Sequence, residues 1–183
     1  MKRLVLFVVG LLTVSSGAFA QPTDAERIER ALTAAPANMK EAATVVKWKA
    51  DNTYDTIKKG TNKMVCYDRS GEPGQQPFAV QCTSIANLDR VAQNRKFEAM
   101  TDKAARQAAL DAAEKDGTRV KPEFGSVWIM MNGPDKDHAR KNTTIAVPGA
   151  TAQSMGLPDN NRQGGGWIMN AGTSTAHLMT PGS

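Results

Sequence analysis

"GSVWIMMNG" occupies residues 125–133, and its reading decides the fold. Val127, Trp128, Ile129, Met130 and Met131 are apolar at successive positions. Successive side chains on a strand point to opposite faces, so an apolar run without alternation predicts a central strand covered on both faces. Gly133 and Pro134 end the run at a turn. Beyond that turn, "NTTIAVPG" (142–149) supplies a partner strand. A short helical turn at "ATAQSMG" and a loop at "LPDNNRQGGG" then lead to a closing hairpin, "GWIMNA" and "TAHLMT", bent at "AGTS". The second WIM segment echoes the first. A match this short predicts two neighbouring strands with similar packing rather than an internal duplication.

Working back from residue 125, residues 83–117 read as helical, with a break near Met100 and Thr101. Ile85, Leu88, Phe97, Met100, Ala104 and Ala108 form a stripe expected to lie on the sheet. Thr101 or Asp102 caps the second half, and Gly117 stops it. "RSGEPGQQP" (69–77) is a loop by composition. Before it, the runs 43–48, 54–61 and 63–68 read as a meander of three strands turning at "KADN" and at Gly60-Thr61-Asn62. "TDAERIERALTAAP" is a helix with both ends marked, a Thr23–Glu26 capping box at its start and Pro36 as its stop. Together these give one α+β domain over 21–183, a mainly antiparallel sheet of about five to seven strands with helices packed on at least one face.

The first 20 residues have the form of a signal peptide: Lys2 and Arg3, an apolar run from Leu4 to Val14, then Ala18-Phe19-Ala20 before the expected cut. That run is shorter than the ~20 residues a membrane span requires. The expectation is therefore a periplasmic or secreted protein with no stable membrane insertion after cleavage. The formal charge is +5, and removal of Lys2 and Arg3 leaves a near-balanced surface. Basic residues are dispersed and aromatics scarce, which excludes a nucleic-acid footprint. Cys66 and Cys82 are the only cysteines. In an exported chain a lone pair is expected to form one disulfide.

"RALTAAPANMKEAATVVKW", followed by "GLPDNNRQGGGWIMNAGTSTAHLMTP", resembles a group of small exported bacterial proteins of uncharacterised function. The resemblance covers most of the chain after residue 20. The cysteine pair and the Gly172-Thr173-x-x-Ala176-His177-x-Met179 segment are its most specific parts. It implies an order of parts (signal, short helix, apolar strand, Cys loop, helices, terminal hairpin) and carries over no catalytic residue.

Candidate site residues come from the residues themselves. In "TSTAHLMT", alternation puts Ala176 and Leu178 on one face, with His177 and Met179 on the other. Residues such as Trp128, Trp167 and His138 complete a set of candidate ligand-lining groups. Asp135, Asp137 and His138 read first as a charged turn. No nucleophile elbow, zinc motif or P-loop is present, and Gly164-Gly165-Gly166 precedes a strand rather than a helix N-terminus. No cofactor or resident metal is expected. The reading is a non-catalytic exported protein that binds a small ligand or an envelope component. Two alternatives stand beside it: a hydrolase using His177 with a carboxylate, and a soft-metal (copper) binder through histidine and methionine.

Overall fold

A computed structural model describes residues 21–181; the expected signal peptide, 1–20, lies outside the described residues. In chain order the elements are α1 (Asp24–Ala31), α2 (Ala37–Lys40), β1 (Thr44–Trp48), β2 (Tyr54–Lys58), β3 (Met64–Asp68) and β4 (Phe78–Ser84). Then follow α3 (Leu88–Glu98), α4 (Lys103–Lys115), β5 (Val127–Gly133), β6 (Arg140–Ala146), α5 (Ala152–Met155), β7 (Trp167–Met169) and β8 (His177–Met179). The strands form one sheet in the order β2-β1-β3-β4-β5-β6-β8-β7. The class is α+β, but the sheet has eight strands where about five to seven were expected. It is mainly antiparallel, as expected, with one parallel pair, β1 and β3.

Two local facts account for the difference. First, β4 was hidden between a loop reading and a helix reading, yet it pairs with β3 and β5 along its length. Second, the expected three-strand meander is not formed. β1 and β2 are an antiparallel hairpin, but the chain then passes the start of β1 and emerges on its other side. Thr61 N and Asn62 N both donate to Ala42 O, at 2.8 and 3.0 Å. Gly60 permits this crossing, since a β-carbon there would lie 2.3 Å from Ala42 O. The two WIM segments are not neighbours either, because β6 and β8 separate β5 from β7.

The two faces of the sheet are covered unequally. On one, α1 and the residues after it bury Ala31, Leu32, Ala34 and Ala35 against Val45, Cys66, Phe78, Val80, Cys82 and Ile129. The expected capping box starts α1, with Thr23 N donating to Glu26 Oε2 at 2.7 Å and Glu26 N to Thr23 Oγ1 at 3.3 Å. Arg30 ties the helix to Asp68 of β3 at 3.3 Å. Cys66 and Cys82 stand directly opposite each other on β3 and β4 and are disulfide-bonded.

On the other face, Leu88 and Val91 of α3 pack on Val46, Val65 and Tyr67, toward the β1–β3 side of the sheet. Arg95 lies 5.1 Å over the Trp48 ring and bonds Glu72. The expected stripe holds in part: Leu88 is buried and Phe97 and Met100 are half-buried, but Ile85 is 43 % exposed and Ala104 and Ala108 of α4 are exposed. Asp102 caps α4 separately, accepting from Ala104 N at 2.8 Å. α4 packs against α3 and buries only Ala113. With α3 placed toward β1 and β3, the same face of β5, β6 and β8 remains open to a cleft.

Candidate ligand-binding cleft

Sheet register builds the cleft floor. Gln81 of β4, Met130 of β5 and Asn142 of β6 stand directly opposite one another. Trp128 faces Thr144 across β5 and β6. Ala146, His177 and Met169 line up across β6, β8 and β7. Directly opposite residues share a face of a sheet. Three cross-strand rows therefore gather an indole, thioethers, amides, a hydroxyl and an imidazole on one surface. Arg90, Asn94 and Glu98 of α3 stand along one wall, with Pro122 from the segment after α4. Asn170 and Thr175 of the terminal hairpin stand on the other side. The cleft is open to solvent and has a volume of about 420 Å³, within the ~300–1,000 Å³ usual for small-molecule sites.

This arrangement corrects the reading of β5. Its apolar run predicted cover on both faces. Ile129 does lie buried on the α1 face at 3 % exposure, but Trp128 and Met130 are half-buried and line the cleft. The apolar positions on the second face form a concave floor.

The polar groups are held in defined states. His177 Nδ1 lies 2.8 Å from Thr175 O. A carbonyl only accepts, so Nδ1 carries the hydrogen, and in the neutral ring Nε2 is left as an acceptor. Asn142 Oδ1 is buried with no hydrogen-bond partner among the described residues. An acceptor left in that condition costs about 1–3 kcal/mol. Gln81, 5 % exposed, accepts from Arg69 Nη1 at 3.4 Å. Arg69 is in turn bound by Glu98 and by Glu72 at 3.1 Å. Burial works against the Arg69 charge, and Glu98, Tyr67 and Glu72 more than restore it, holding the guanidinium above its usual range. Ser174 precedes Thr175, which lines the cleft. The Ser174 hydroxyl donates to Glu114 Oε2 at 2.6 Å and accepts from Arg90 Nη1 at 3.2 Å, joining α4, α3 and the hairpin.

Of the residues singled out from sequence, Trp128, His177 and Met179 line this one cleft. Trp167 stands opposite Met179 in register but is not among the lining residues. His138 lies elsewhere, exposed on the β5–β6 turn, where its backbone N–H and ring Nδ1 both reach Asp135 Oδ1, at 2.9 and 2.8 Å. That turn is tight: a β-carbon on Gly133 would meet Ala139 Cα at 2.7 Å. The methionines divide as well. Met130, Met169 and Met179 line the cleft, whereas Met131 packs on the α1 face. Sequence reasoning missed Gln81, Arg90, Asn94 and Asn142. The alternation Asn142, Thr144, Ala146 was a legible sign of a polar-lined face, but Gln81 was lost with β4.

Among the described residues no group of three or more His, Cys, Asp or Glu side chains could hold a metal ion. No helix among them is long and apolar enough to cross a membrane. Other clefts of about 180 Å³ beside Trp48 and Arg95, 410 Å³ beside Arg30 and Pro134, and 350 Å³ beside Tyr54 and Leu88 gather no comparable set of aromatic, thioether and imidazole groups. Compared with known proteins, the chain matches no family model, no curated protein and no solved structure.

Proposed function

We propose that this is a non-catalytic extracytoplasmic binding protein whose cleft over β5, β6 and β8 takes a small amphipathic molecule. The observation that carries the reading is the convergence of Trp128 and Met130 from β5 with His177 and Met179 from β8 on one cleft of ligand size. Apolar groups with a few fixed polar ones are the usual composition of a small-molecule site. The Cys66–Cys82 disulfide accords with an oxidising compartment. A hydrolase built on His177 would need a carboxylate to orient it. The ring instead bonds the Thr175 carbonyl, and Glu98 in the same cleft is bound to Arg69.

A thermal-shift screen of small amphipathic molecules tests the proposal, run on the wild type, Trp128→Ala and Trp167→Ala. Hits that survive Trp167→Ala and disappear in Trp128→Ala support it. Hits indifferent to Trp128 place binding elsewhere and reject it.

A second reading is favoured by one specific arrangement. Met169 and His177 are directly opposite, Met179 shares their face, and the backbone bond at Nδ1 frees Nε2 in the manner of a metal-bound imidazole. Soft thioethers with imidazole suit Cu(I). Titration with Cu(I) against a competing chelator distinguishes the two readings: stoichiometric uptake lost in both His177→Ala and Met169→Ala belongs to the copper reading alone.

A further inference from the structure

Arg90 is 4 % exposed and lines the cleft. A charged side chain this deeply buried is ordinarily paired with an opposite charge. Arg30, Arg69 and Arg95 each have a carboxylate partner. Arg90 has none within ion-pair distance among the described residues. Its Nη1 donates to Val120 O and to Ser174 Oγ at 3.2 Å. Glu114 makes no ion-pair contact with it; it bonds the same hydroxyl, and its charge partly offsets the cost of burial. The Nε and Nη2 donors have no hydrogen-bond partner among the described residues. Burial, with Arg119 nearby, pulls the group down to about 10, so it stays charged at neutral pH in surroundings that disfavour the charge.

The rest of the cleft offers no other anchor of this kind. Arg69 and Glu98 occupy each other. On the same helix, Asn94 Oδ1 accepts from Arg119 Nη2 at 2.6 Å, which leaves the Asn94 amide hydrogens as donors. One guanidinium without a carboxylate in contact thus adjoins an amide donor and the apolar floor of Trp128 and Met130.

Resting on the reading of this cleft as a ligand site, we propose that its ligand is a small amphipathic monocarboxylate, with the anionic head on the free edge of Arg90 and the apolar body over Trp128 and Met130. A planar guanidinium edge matches the two carboxylate oxygens. Arg119 nearby is occupied by Gln93 and Asn94, so one free guanidinium edge is offered, which suits a carboxylate better than a phosphate monoester.

Three probes with one body and different heads test this by calorimetry: 3-phenylpropionate, 3-phenylpropan-1-ol and 3-phenylpropyl phosphate. The expected result is that the carboxylate binds the wild type at least about tenfold tighter than the alcohol, and tighter than the phosphate. Arg90→Gln should bring the carboxylate down to the alcohol's affinity, while Arg90→Lys retains part of the preference. The wild-type comparison stands even if Arg90→Gln does not fold. Equal binding of carboxylate and alcohol, both weakened by Trp128→Ala, overturns the anion site and leaves the cleft reading intact. Tightest binding of the phosphate overturns the carboxylate assignment. Carboxylate binding that survives Trp128→Ala unchanged overturns both.

Discussion

His177 donates its Nδ1–H to the carbonyl of Thr175 at 2.8 Å, two residues back along the chain. The bond is local, so the terminal hairpin sets the tautomer without help from the rest of the fold. Nitrogen-15 spectra of the neutral imidazole should show Nδ1 protonated and Nε2 bare. The opposite tautomer would mean that some other group holds the ring.

Leu88 and Ile85 stand three residues apart and face different surroundings. Leu88 is 9 % exposed and packs on Val46, Val65 and Tyr67; Ile85 is 43 % exposed. Leu88→Ala should cost about 2–5 kcal/mol in urea unfolding, and Ile85→Ala no more than about 0.5 kcal/mol. Equal costs would contradict the placement of α3.

Gly60→Ala should destabilise the protein by on the order of 3 kcal/mol or more, because the added carbon meets the backbone of residues 42–44 and has nowhere to go. Gly165→Ala, with nothing within 4 Å of the added carbon, should fall within about 0.5 kcal/mol. Denaturant midpoints of the two variants decide it.

The Cys66–Cys82 bond closes a loop with a sequence separation of 16. In the chain-entropy model such a loop contributes about 3 kcal/mol. Alkylation under denaturing, non-reducing conditions should find no free thiol, and a Cys66→Ser/Cys82→Ser double variant should lose stability of that order.

Glu114 gives a pH signature. Burial pushes its carboxyl up, but the two hydrogen bonds from Ser174, helped by Arg90, more than offset this and hold it below the usual glutamate value. Its contribution to stability is therefore full above the unfolded value of about 4.3 and is lost as pH falls through the lower folded value. The stability difference between wild type and Glu114→Gln should shrink on acidification below about pH 4. A difference that grows there would have the wrong sign for this linkage.

What could be read from the sequence, and what could not, follows from the range of the forces involved. The α1 cap, the Asp102 cap, the terminal hairpin and the cysteine pair were legible because each is specified by residues near one another or by an unambiguous pair. The inward turn of Ala176 and Leu178 was legible too; both pack in a cluster with Val147 and Ile168. Strand order was not, since the parallel pairing of β1 with β3 depends on how the chain crosses at Gly60. β4 escaped because Phe78, Val80 and Cys82 alternate with Gln81 and Thr83 inside a stretch bounded by a loop and a helix. Arg90 and Asn142 join the site only through packing and register, which local pattern does not carry.

The central claim, that the β5–β6–β8 cleft is a small-molecule site, is tested most directly by soaking a library of small amphipathic fragments into crystals of residues 21–183. The expected result is density clustered between Trp128, Met130 and the α3 wall, with acidic fragments turned toward Arg90. Fragments that collect elsewhere on the surface and leave Trp128 untouched would contradict it.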